Sequence, residues 1–115
     1  GSMLMHLGSL ATIGALKPKN FYHILINNEA HESVGGQKTA AKSISLSNIA
    51  KSLGAKQLFY ADSKTSLENM LSDFLDCHGP SFLEVKIDIG SRADLGRPTI
   101  SPIENKKDFI RFLRE

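Results

Sequence analysis

Cysteine is nearly absent from this sequence, which holds one, Cys77, in 115 residues. A single thiol excludes an intrachain disulfide and makes a reducing compartment the default expectation. His78 follows directly, but a Cys-His pair adjacent in sequence is rarely a catalytic dyad, and no reactive thiolate is expected. Long hydrophobic runs are missing too. The most apolar stretch, Met3 to Leu16, is too short to span a bilayer, and it has neither a basic leader nor a convincing small-residue cleavage site. It is expected to be a buried helix of a cytoplasmic protein with no membrane partner. There is no concentrated basic stripe. The net charge is +2, and the densest basic stretch, Lys106 to Arg114, carries Asp108 and is followed by Glu115. That pattern reads as a solvated helix face, and nucleic acid is not an expected partner. Repeats and low-complexity segments are absent as well.

What is present is an ordinary globular composition, 41% apolar and 23% charged, which implies one domain over residues 1–115. Helical and strand patterns alternate along it. Leu4 to Leu16 is apolar or small almost all round and stops at Lys17-Pro18, where proline cannot continue a helix. Phe21 to Ile26 is a short aromatic and β-branched strand ending at Asn27-Asn28. Glu29 to Ser43, with Gly35-Gly36 at its centre, reads as a long loop of functional length. Leu46, Ile49, Ala50 and Leu53 mark a helix capped by Ser45, and Gln57 to Tyr60 a further strand. Leu67, Met70, Leu71, Phe74 and Leu75 define an amphipathic helix, with Thr65 and Glu68 as its capping box. Ser81 to Ile89 alternates apolar residues with Glu84, Lys86 and Asp88, the period of a half-buried strand at a sheet edge. The final helix opens with Ser101-Pro102-Ile103-Glu104, and Ile103, Phe109, Ile110, Phe112 and Leu113 are its expected buried stripe.

The order αβαβαβα implies an α/β fold, a parallel sheet with right-handed crossovers in a three-layer sandwich. No strand feeds the opening helix, so the sandwich is expected to be truncated at its N-terminal side. In such a sheet, ligands bind outside the carboxyl ends of the strands. Asn27-Asn28 lies at one of these ends, and side-chain amide oxygens are hard donors suited to magnesium. The same pair is also ordinary turn chemistry. Gly1-Ser2-Met3 would offer backbone N–H groups to a phosphate at a helix start, although Gly1-Ser2 also has the form of a tag remnant.

The spacing of these words is similar to the magnesium motif of thiamine-diphosphate enzymes, in which Gly-Asp-Gly is followed by a helix, a strand and Asn-Asn. Gly1 precedes Asn27 with 25 residues between them and can stand as the last glycine of that motif. Leu4-Met5-His6-Leu7-Gly8-Ser9-Leu10-Ala11-Thr12-Ile13-Gly14, Asn27 to Gln37 and Arg92-Ala93-Asp94-Leu95-Gly96-Arg97-Pro98 resemble the 2-oxo acid decarboxylases of this family. They look more like its phosphonopyruvate-specific branch than its sulfopyruvate-specific one. The resemblance covers essentially the whole chain. The chain departs from it at Glu29 and Glu32, where glycine and aspartate are more familiar.

The resemblance implies a thiamine-diphosphate-binding fold, of which this chain is the C-terminal part of the diphosphate-binding domain, with Mg2+ and thiamine diphosphate as cofactors. Asn28 would ligate magnesium through its side chain and Ala30 through its carbonyl, while Gly1, Ser2 and Met3 approach the diphosphate. The motif aspartate, the pyrimidine-binding domain and the glutamate that activates the cofactor would lie outside this chain, on a longer polypeptide and a second subunit of a homo-oligomer. The chain alone would then be inactive. Its small-molecule partner would be a 2-oxo acid, phosphonopyruvate, converted to phosphonoacetaldehyde and carbon dioxide. His31, Ser33 and Gln37 are candidates to face that substrate, or else they simply order the loop. Arg92 and Arg97 fit an anion or a structural ion pair. His6 reads as a core or interface histidine, and Lys38 has no special claim. Two readings compete with this one: a sister 2-oxo acid decarboxylase acting on sulfopyruvate, and a non-catalytic flavodoxin-like binding domain.

Overall fold

The computed structural model describes residues 1–115. Its core is a sheet of three parallel strands in the order β1 (Tyr22–Asn27), β5 (Ser81–Lys86), β4 (Gln57–Ala61). The register sets Leu25 beside Glu84, Asn27 beside Lys86, and Tyr60 beside Glu84. Helices lie on both faces, as a layered α/β fold requires. On one face, Leu10 of α2 (Gly8–Leu16) and Ala50 of α3 (Leu46–Ser52) pack with Phe82, and Leu25 and Leu58 border them. On the other, Phe74 of α4 (Lys64–Asp76) is fully buried, edge-on to Phe59 and Tyr22. Side chains alternate along each strand, so Phe82 joins one layer and Leu83 the other.

The close approach of α2 to α3 depends on Gly14. A Cβ there would run into the Leu53 carbonyl, and one on Gly54 (φ 107°) would lie 2.8 Å from the Gly14 Cα.

Several sequence expectations need correction. The opening helix is not continuous: α1 (Ser2–Met5) and α2 are separated at His6-Leu7, and His6 is exposed rather than packed in a core. Nor is it buried all round, for only Leu10 and Gly14 are buried while Met5 and Leu16 face outward. The box at the start of α4 is built from Ser63 and Ser66, two positions before Thr65 and Glu68. Serine at both places closes the reciprocal bonds, and Glu68 instead pairs with Lys64 one turn earlier. β5 is the central strand and not an edge. The long loop holds a small hairpin, β2 (Ala30–His31) with β3 (Gln37–Lys38), and two short 3-10 turns. Helix α5 (Pro102–Phe112) is capped by Ser101 and Glu104 as expected, the serine amide and hydroxyl holding the glutamate carboxyl below its ordinary range. Its apolar residues Ile103, Phe109, Ile110, Phe112 and Leu113 are nevertheless exposed, because nothing in this chain covers them. No helix is long and apolar enough to cross a membrane.

Two predictions follow from the packing. Gly14→Ala should lower unfolding free energy by about 3 kcal/mol, since the obstacle is backbone and not a movable side chain; urea unfolding measures it. The second concerns His23, which packs on Phe82 with ring centroids 5.1 Å apart. Burial holds its pKa below the ordinary imidazole value, near 6.5. The unfolded chain therefore binds the proton first, and stability contributed by neutral His23 is lost as pH falls from about 6.5 toward the lower folded value. Thermal midpoints should drop across that window, and His23→Gln should flatten the drop.

Candidate functional site

β1 ends at the carboxyl edge of the sheet in Asn27, which is 7% exposed. Its amide nitrogen donates to Glu84 Oε1 at 2.7 Å, and its Oδ1 accepts the Glu29 N–H at 3.0 Å. Glu84, also 7% exposed on the central strand, takes a second bond from the Ser47 hydroxyl at 2.6 Å. The carboxylate is acceptor-only, so it fixes which end of the Asn27 amide faces the loop.

Asn28 repeats the arrangement one residue on. Its Oδ1 accepts the Ala30 N–H at 3.1 Å, and its Nδ2 donates to Glu32 Oε2 at 2.7 Å. Glu32 Oε1 accepts the Gly90 N–H, also at 2.7 Å. Two consecutive Asx turns thus follow the strand, each with its amide nitrogen held by a glutamate. Glu29 between them adopts the left-handed conformation (φ 58°), a region that favours glycine. Its carboxylate is paired with the Lys86 ammonium, and its carbonyl accepts both Thr39 N–H (2.8 Å) and Thr39 Oγ1–H (3.0 Å).

The turn delivers the chain into the hairpin, where His31 stands opposite Gln37. The His31 ring lies directly against Gly1: a Cβ on Gly1 would collide with it. Gly1, just before α1, is therefore a neighbour of His31, where the Asn28–His31 turn ends. Ser33 and Gln37 are exposed on the same hairpin, as is Lys38. Arg92 pairs with Asp94 in its own turn at 3.2 Å, the structural alternative for that residue, while Arg97 remains exposed on the segment that follows. Cys77 is tied to local partners, Phe74 O at 3.1 Å and Ser81 Oγ at 3.0 Å.

Sequence reasoning missed Glu84, Lys86, Ser47 and Glu32. The signal was present, since charges on a strand flanked by two others need partners. It also missed a cleft of about 390 Å3 lined by Asn27, Glu29, Lys42, Tyr60, Glu84 and Lys86. The cleft borders the turn, but Asn28 and Ala30 do not line it.

The donor set near Asn28 is oxygen-rich. The Oδ1 of Asn28 keeps one lone pair beyond its bond to Ala30. No three His, Cys, Asp or Glu side chains cluster to hold a metal. The arrangement suits a hard, phosphate-bearing cation such as magnesium, which takes few protein ligands, and not a soft or imidazole-bound metal.

Comparison with known proteins defines the class. Residues 1–85 match the family described as thiamine pyrophosphate enzyme, C-terminal TPP binding domain, and the chain belongs to that family. The phosphonopyruvate decarboxylase of Streptomyces viridochromogenes is 37% identical over 113 residues, which is 98% of this chain and 28% of that protein. The sulfopyruvate decarboxylase subunit beta of Methanothermobacter thermautotrophicus is 32% identical over 115 residues, the whole of this chain and 57% of that protein. The corresponding subunit of Methanocaldococcus jannaschii is 51% identical over 55 residues, covering 47% of this chain and 29% of that protein. The chain thus spans between about a quarter and three-fifths of the length of these relatives. The family match removes the flavodoxin-like alternative.

The left-handed Glu29 gives a direct test. Glu29→Gly relieves about 1 kcal/mol of backbone strain and gives up a partly exposed ion pair worth about as much. It should leave urea stability within about 1 kcal/mol of the parent, whereas Glu29→Val, β-branched in the same conformation, should lose about 2 kcal/mol.

Proposed function

We propose that this chain grips the magnesium-diphosphate end of thiamine diphosphate in an enzyme that decarboxylates a 2-oxo acid, with phosphonopyruvate as the substrate. The observation that supports the reading best is the pair of Asx turns at the strand end, which leads the chain through Asn28 and Ala30 to His31, whose ring lies against Gly1. In this reading Asn28 supplies a side-chain oxygen to Mg2+ and Ala30 its carbonyl, while the Gly1, Ser2 and Met3 amides meet the diphosphate. Magnesium takes few protein ligands, so phosphate, water and a carboxylate from elsewhere in the intact enzyme would join Asn28 and Ala30 in holding it. Thiamine diphosphate, when bound, supplies an electron-accepting ring that makes loss of carbon dioxide possible.

The chain's own groups then bind and orient. His31, held between Gly1 and Gln37, is the best placed of the three loop candidates to meet an anionic substrate, with Gln37 and Ser33 on the same hairpin. Residues 1–115 form the C-terminal part of the diphosphate-binding domain, and the pyrimidine-binding domain comes from the rest of the polypeptide and a second subunit. By itself the chain is inactive. The relatives named as a subunit beta favour assembly with a partner, and a cytoplasmic homo-oligomer fits the decarboxylase reading. The same relatives carry the second reading, in which sulfopyruvate is the substrate. Identity of 37% over 98% of this chain supports phosphonopyruvate first.

The test is carbon dioxide release by the intact enzyme from each substrate, with Mg2+ and thiamine diphosphate added or withheld. Cofactor-dependent release from phosphonopyruvate is expected, and Asn28→Ala should raise the Mg2+ needed for half activity by about 100-fold, the upper end of what lost metal-site contacts cost. Release from sulfopyruvate alone would replace the substrate and keep the cofactor. Inactivity on both would overturn the decarboxylase reading.

A further inference from the structure

Glu84 is a buried carboxylate on the central strand with no cation against it; its bonds come from the Asn27 amide and the Ser47 hydroxyl. A residue whose only task was packing would be apolar at such a place. Two positions on, Lys86 leaves the same face of the strand and pairs with Glu29. Strand β5 therefore holds the turn after β1 at two points, through the side chain of Asn27 and through that of Glu29.

The polarity of the first contact is what matters. Because the carboxylate accepts only, Asn27 must turn its NH2 group toward β5 and its oxygen toward the Glu29 N–H. With Glu84 removed, the amide is free to rotate, and its NH2 would then confront the N–H it now accepts. The left-handed backbone at Glu29 (φ 58°), unfavourable for a residue with a side chain, would lose the bond that maintains it. Asn28 and Ala30 follow immediately and would move with it.

We infer that Glu84, assisted by Lys86, is a positioning residue for the cation-binding turn: it orients Asn27 so that the Glu29 backbone presents Asn28 and Ala30 in one fixed geometry. The inference rests on the proposed role of Asn28 and Ala30 at magnesium, and it assigns work to residues that do not themselves touch the ion.

The intact enzyme carrying Glu84→Ala, Glu84→Gln, Lys86→Met or Asn28→Ala provides the test. Calorimetry without substrate reads binding of thiamine diphosphate with Mg2+, hydrogen exchange reads the amides of residues 28–31, and steady-state assays separate half-saturation from kcat. Glu84→Ala should weaken cofactor binding about tenfold or more, the range seen when outer-shell partners are removed, and should speed exchange at Glu29 and Ala30. Its kcat at saturating cofactor should stay within about threefold of the parent, because the ion's own ligands remain. Glu84→Gln should restore binding, since its oxygen can accept from Asn27 while its NH2 donates to Ser47. Lys86→Met, which leaves the buried network untouched, should shift binding in the same direction by a smaller factor and serves if Glu84→Ala does not fold. Unchanged binding in Lys86→Met and in Glu84→Ala, alongside lost binding in Asn28→Ala, would overturn this inference and leave the proposed function standing. Unchanged binding in Asn28→Ala would overturn both.

Discussion

The buried contact between Glu84 and Asn27 is the constraint around which one end of this sheet is organised. It joins the central strand to β1 by side chains, where Asn27 already stands beside Lys86 in the backbone ladder. The bond to Ser47 extends the same carboxylate to the first turn of α3, so three elements meet on one group. A charge-assisted hydrogen bond in a buried setting contributes about 1.5–3 kcal/mol, and breaking one leaves a charge without its solvent or its partner. The network is thus strongly all-or-none. Either the three groups are seated together, or Glu84 has no acceptable place in the core.

The second Asx turn is held differently. Asn28 is fixed by Glu32, which is exposed and reaches Gly90 on the segment after β5. Hydrogen bonds of this kind compete with water and open more readily than those around Glu84. A rigid anchor at Asn27 thus stands beside a softer one at Asn28. Asn28 Oδ1 accepts from Ala30. The Gly90 contact also links this turn to the exposed residues beyond β5.

Much of the layout was legible in the sequence because it depends on local signals. Ser45 and the Ser101–Glu104 pair cap their helices where the pattern places them, and the strand before Asn27-Asn28 ends as its residues suggest. The errors of burial have one physical origin, which is that periodicity reports a face but not what lies against it. Glu84 and Lys86 alternate with apolar residues, a pattern that normally means solvent on one side. Here the same alternation faces Asn27, Ser47 and Glu29, so a central strand looked like an edge. The opposite error occurs in α5, where a well-formed apolar stripe implied burial yet Phe112 and Leu113 lie in the open. On β1 likewise Ile24 is 50% and Ile26 57% exposed, although both alternate as core residues do. The Gly1–His31 contact was not legible: the motif spacing relates Gly1 to Asn27-Asn28, and the hairpin that brings the ring to the glycine depends on tertiary pairing.

The strands themselves explain why the polar groups collect at this end. Polar residues stand at or near the carboxyl end of each: Asn27 closes β1, Glu84 and Lys86 lie in the second half of β5, and Tyr60 lies near the end of β4 with Asp62 just beyond. Parallel pairing places these polar ends side by side, which an antiparallel sheet of the same strands would scatter to opposite edges. The apolar halves supply the burial that holds the sheet together, through Phe82 to α2 and α3 and through Leu83 and Phe59 toward α4. The polar halves then meet in a setting dry enough to make their hydrogen bonds directional and open enough to admit a ligand. Parallel order is what gathers three unremarkable strand ends into one polar turn with its own supports, and it is why the candidate site sits where the strands finish.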